Sequence, residues 1–212
     1  MNIWKSDKHR FFFVHIPKTA GTAIINALQE RVGLENLILY TEVDSIQQFI
    51  NSPNGKEWYN YFSFAFVRNP WDRMVSHYFY TKQICDNPNL LVTKNIKEVN
   101  RAKNIVNQLG SDFAFKDYIL YRKNEADSLN GSYFQQFGYT QGFTSFIGKF
   151  ENIQTDLQKN YDRLNLGNIN LDLFNNSNHD HYSKYYNNET IQIVSEYCPH
   201  DINIFNYSYN QE

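Results

Sequence analysis

Two aromatic-rich apolar runs, FFFVHI at 11–16 and YFSFAFV at 61–67, each end at a proline-containing loop and pass into a helical pattern. Such a run fits a strand buried on both faces, as inside a parallel sheet. After the first, Ile24, Ile25 and Leu28 recur at helical spacing in a segment reaching Val32. After the second, Asn69 offers an N-cap and Pro70 suits the first helical position. Trp71, Met74, Val75, Tyr78 and Phe79 then form one apolar stripe, with Asn69, Arg73, Ser76 and Tyr80 on the other side. A strand-loop-helix unit that occurs twice predicts an α/β fold, a central parallel sheet flanked by helices.

The remainder extends that alternation. Residues 86–110 are polar and weakly helical up to Gly110, and Ser111-Asp112 can cap a helix running to Arg122. SLNGSYFQQFGYTQG reads as a long surface loop, and TSFIGKF at 144–150 as a third core strand. A helix with Ile153, Leu157 and Leu164 inward follows, then the polar loop NNSNHDHYSKYYNN, then a helix ETIQIVSEYC with Ile191, Val194 and Cys198 inside. No low-complexity linker interrupts the 212 residues, so one domain over 1–212 is expected. The net charge of −2 provides no global field for nucleic acid or an anionic membrane, so any anion site must be local. Cys85 and Cys198 show neither a metal-ligand spacing nor a disulfide framework and read as two free thiols. The N-terminal apolar run is too brief for a membrane span and lacks a cleavage site, which makes the cytoplasm the expected address.

The chemistry concentrates in the two loops. A helix N-terminus presents unpartnered N–H groups and partial positive charge, so PKTAGT between strand and helix is a ready anion cradle. Lys18 adds a formal charge, Thr19 and Thr22 add hydroxyls, and Gly21 permits close backbone approach. The order differs from the common nucleotide loop, where the lysine follows the last glycine. Taken alone, PKTAGT equally fits an ordinary turn with an exposed lysine. The second unit puts Arg68 at the carboxyl end of another strand, on the edge where open α/β sheets bind ligands.

Together, HIPKTAGT and FAFVRNPWDRMVSHYFY resemble the PAPS-dependent sulfotransferases, specifically their carbohydrate-modifying branch with many bacterial members. The resemblance continues through IGKFENIQTDL and YYNNETIQIVSEYCPHDINIFNYSY. It implies a P-loop-like nucleotide-binding fold and transfer of a sulfuryl group from PAPS, without a metal, to a carbohydrate hydroxyl. By position, it implies that Lys18, Thr19, Ala20, Gly21, Thr22 and Ala23 hold the 5′-phosphosulfate and that Arg68 and Ser76 hold the 3′-phosphate. The near-neutral charge favours a neutral or lightly charged polysaccharide, oligosaccharide or glycolipid over a heavily sulfated acceptor.

The general base is less legible. Tyr40 stands roughly where many relatives carry a histidine, so His15, beside Lys18 on the ligand edge, becomes the leading substitute. A strand-end histidine bonded to backbone fits His15 equally well. Glu42, Asp44 and Tyr40 are weaker candidates, and His77 reads as packing or solvent-facing. Lys149 and Glu151 fit a surface salt bridge, and Tyr182 and Lys184 a solvated loop or a nucleotide contact. Two other classes compete. One is an ATP-dependent phosphotransferase, which would place the lysine after the glycine; the other is a non-catalytic glycan-binding module, suggested by the many tyrosines.

Overall fold

The computed structural model describes residues 1–86, 96–128, 135–171 and 179–210. They form two compact units, each assembled from two stretches of chain: 1–69 with 136–176, and 70–135 with 177–212.

The first unit is built on a five-stranded sheet. Its strands are β1 (Asn2–Ser6), β2 (Phe11–His15), β3 (Ile38–Tyr40), β4 (Phe62–Val67) and β5 (Phe146–Lys149), in the order β3-β1-β2-β4-β5. The core trio is parallel, with Val14 opposite Ala65 and Val67 opposite Lys149. The sheet as a whole is mixed rather than parallel, because β1 runs antiparallel to both β2 and β3. β1 escapes a search for apolar runs because it carries charge inward. Lys5 is buried and paired with Asp7 at 2.8 Å and Glu57 at 3.2 Å, which compensates its loss of water.

Period-two alternation distributes β2 between two layers. Phe11 and Phe13 join Phe64 and Phe66 in a core shared with Ile24 and Leu28 of α1 (Gly21–Val32). Phe12 instead packs against Trp58 with tilted rings and meets Phe49 of α2 (Ile46–Ile50) edge-on. That double burial is why FFFVHI is apolar throughout.

In the second unit, α3 (Pro70–Asp86), α4 (Ile96–Leu109) and α5 (Phe115–Ser128) pack around Trp71, Met74, Val75, Ile105, Tyr118 and Ile119. The predicted loop at 128–142 contains the one-turn helix α6 (Phe137–Thr140), which belongs to the first unit, while 129–134 lie outside the described residues. There too, α7 (Ile153–Arg163) turns Ile153 and Leu157 inward as expected. The second unit closes with α8 (Asn188–Tyr197) and α9 (Pro199–Phe205).

Three expectations need correction. α3 is not amphipathic in its first turns: Arg73 and Ser76 are buried along with the apolar stripe. A buried charge persists where others answer it, and Arg73 and the buried Asp201 act with opposite sign on the Cys198 thiol. α5 begins at Phe115 rather than after Ser111-Asp112, since the Asp117 carboxylate accepts the Ala114 N–H at 3.1 Å. In α8, Ile193 rather than Ile191 joins Val194 in the core, because the Asn187–Thr190 capping box sets the helix's start.

Candidate functional site

Parallel pairing brings the carboxyl ends of β2, β4 and β5 to one edge of the first unit, so the loops after them are neighbours. After β2, the chain passes Ile16 and Pro17 into a turn whose shape is held from inside. The fully buried Thr19 donates its hydroxyl to the Ile16 carbonyl at 2.9 Å. In this arrangement the Thr19 hydroxyl proton is used within the turn itself.

Lys18 and Ala20 adopt left-handed backbone, with φ of 70° and 61°. For residues bearing a Cβ this conformation costs on the order of 1 kcal/mol each, and it is kept where the surroundings enforce it. A left-handed Ala20 followed by helical Gly21 turns successive N–H groups toward one side, the arrangement that makes an anion nest. No side chain caps α1, and its first turn contains no acidic residue. The start of α1 therefore keeps its positive character, with Thr22 exposed there and Ala23 buried against the core.

Gly21 has a reason within the fold itself. A Cβ built on it would lie 2.1 Å from His15 Cδ2 and 2.2 Å from Nε2, so the imidazole occupies the space a side chain would need. His15 stacks on Phe13 with ring centres 6.2 Å apart. Burial, with a smaller contribution from the Lys18 charge, pushes its pKa down to about 4, so the ring is neutral at pH 7.

After β4, Arg68 is held from several sides. The Gln136 side chain, wholly buried, accepts the Arg68 N–H at 2.8 Å and donates to its carbonyl at 2.7 Å. The guanidinium carbon lies over the Phe150 ring, 4.1 Å from its centre. Nη1 donates to the Lys18 carbonyl at 3.4 Å, joining the two loops directly. The next residue is anchored as well: Glu151 accepts the Asn69 N–H at 2.6 Å. In the sequence Glu151 fits a surface salt bridge or, by family resemblance, a strand near the nucleotide, and nothing local marks Gln136 or Phe150. A carboxylate or amide that binds backbone leaves no signature of residue type.

The other candidates lie elsewhere. Ser76 is buried on α3 in the second unit. Tyr182 belongs to that unit's aromatic core with Tyr186 and Tyr209, neither a solvated loop residue nor an open nucleotide contact, while Lys184 pairs with Asp180 at 3.0 Å. Tyr40 meets Phe49 edge-on. Glu42 sits in left-handed backbone after β3. Cys85 and Cys198 are both free thiols. Among the described residues no group of three His, Cys, Asp or Glu could hold a metal ion, and no helix is long and apolar enough to cross a membrane.

No curated protein and no solved structure matches this chain. The model of the sulfotransferase family matches residues 1–208, which include the left-handed turn at Lys18 and Ala20 and the anchored Arg68. The chain belongs to the sulfotransferase family.

Proposed function

We propose that the protein transfers a sulfuryl group from PAPS to a hydroxyl of a carbohydrate acceptor and releases 3′,5′-ADP. The observation that carries this reading is the meeting of the two cationic loops on one sheet edge, where Arg68 reaches the Lys18 carbonyl. A donor with phosphate at both ends needs two anion-binding elements side by side, and family membership makes sulfuryl transfer the general reaction class.

In this reading Lys18, Thr19, Ala20, Gly21, Thr22 and Ala23 hold the 5′-phosphosulfate in a P-loop-like cradle, through the Lys18 ammonium, the backbone N–H groups and the Thr22 hydroxyl. Arg68 grips the 3′-phosphate through its forked donors, and Ser76 is assigned to the same phosphate by family resemblance alone. The acceptor oxygen attacks sulfur in line, forming the new S–O bond as the bond to the 5′-phosphate oxygen breaks. Negative charge grows on that leaving oxygen, and the Lys18 ammonium stabilises it. The acceptor's proton passes to His15, whose neutral imidazole holds a lone pair at pH 7. No step calls for a metal. A neutral or lightly charged glycan fits the net charge of −2, with the cytoplasm as the setting.

The test is a thermal shift. The proposal expects 3′,5′-ADP without magnesium to raise Tm and ATP with magnesium to leave it unchanged. The opposite pattern would favour a phosphotransferase, and no shift with either would reject a nucleotide site.

A further inference from the structure

Arg68 lies one residue past the point where β4 loses its ladder partner, since the last register pair is Val67 with Lys149. A backbone leaving a sheet would ordinarily turn freely there. Here the Gln136 amide takes the place of the missing strand, making one bond to the Arg68 N–H and one to its carbonyl from a fully buried side chain. Phe150, the residue directly after β5, lies under the guanidinium carbon at 4.1 Å. The first contact fixes where the arginine starts and the second fixes the plane in which it ends. A ring beneath the guanidinium covers one face and fixes its plane, and in that plane Nη1 already reaches the Lys18 carbonyl, so the direction of every Arg68 donor is set before a ligand arrives.

We propose that Gln136 and Phe150 are positioning residues that set the protein's selectivity for a 3′-phosphorylated nucleotide by holding Arg68 in one geometry. This rests on the reading of Arg68 as the ligand of the 3′-phosphate. Selectivity then depends on pre-orientation: an arginine free to move must be ordered at the moment of binding, which weakens the contact with the phosphate and leaves the rest of the nucleotide's affinity intact.

The readout is the ratio of Kd for 5′-AMP to Kd for 3′,5′-ADP, measured by titration calorimetry on folded protein. General damage to the site would weaken both ligands and leave the ratio in place. Arg68→Ala serves as the reference and should collapse the ratio toward one. Gln136→Met, close in shape but unable to make either bond, should lower it about tenfold or more, the scale of losing buried hydrogen bonds. Phe150→Leu should lower it about fivefold, and Phe150→Tyr, which keeps the ring face, should preserve it. If Gln136→Met fails to fold, the Leu and Tyr variants at 150 decide the matter. A ratio that falls with Arg68→Ala but not with Phe150→Leu or Gln136→Met overturns the positioning role. A ratio untouched by Arg68→Ala overturns the assignment of Arg68 itself, and the positioning role with it.

Discussion

Replacing Gly21 by alanine tests whether the glycine of the PKTAGT loop is fixed by His15. Gly21 is the first residue of α1 and has no positive φ, so its backbone alone would accept alanine, with a gain of about 0.5–1 kcal/mol over glycine in a helix. The obstacle is the imidazole, 2.1 Å from the new Cβ at Cδ2 where ordinary carbon contact is ~3.5 Å or more. The ring cannot swing away without leaving its stack on Phe13. Overpacking of this kind costs typically ~1–3 kcal/mol. Gly21→Ala should therefore lower stability by about 1–2 kcal/mol in the native background and raise it by about 0.5–1 kcal/mol when His15 is also alanine. The four proteins of this double-mutant cycle, unfolded in urea and monitored by tryptophan fluorescence, should give a coupling of about 2 kcal/mol. A coupling within the ~0.5 kcal/mol expected of independent sites would refute the claim that His15 dictates glycine at this position.

Protonation of His15 offers a second check. Its pKa of about 4 lies below the ordinary ~6.5, so the unfolded chain binds the proton more readily. The corresponding stabilisation is fully present above pH ~6.5 and is lost as pH falls toward 4, by up to ~3 kcal/mol, and His15→Gln should flatten the urea midpoint across that window. If His15 is the base, the acid limb of kcat/KM should likewise sit near pH 4, and a limb near the ordinary histidine value would contradict the buried imidazole. Thr19→Val should cost about 1–2 kcal/mol by leaving the Ile16 carbonyl without its donor, whereas Thr19→Ser should keep most of the stability. Equal losses for the two variants, measured by thermal unfolding, would mean that the methyl group rather than the hydroxyl holds the turn.

The two strand-loop-helix units were legible because a strand buried on both faces is mostly apolar along its length, as FFFVH and FSFAFV are apart from His15 and Ser63. The same runs place Lys18 and Arg68 in the loops that follow β2 and β4, and the structure brings those two loops into contact. Features that depend on pairing between distant segments were hidden. The antiparallel β1 carries Lys5 inward against Asp7 and Glu57, which no local pattern foretells. Gln136 lies in a stretch whose pattern reads as a surface loop, yet its amide replaces a strand for Arg68, 68 residues earlier. Thr19 in an anion loop reads as a donor, and only the fold shows its hydroxyl bonded to the Ile16 carbonyl inside the turn.

Sulfuryl transfer by Lys18→Ala, compared with the unaltered protein, tests the central claim most directly. With PAPS and a pooled set of neutral and lightly charged glycans, the native chain should release 3′,5′-ADP and yield a product one sulfonate heavier by mass spectrometry. The alanine variant should retain its fold by circular dichroism and lose turnover by at least ~100-fold, the scale seen when a group stabilising developing negative charge is removed. A folded Lys18→Ala protein that transfers sulfate at the native rate would contradict the account.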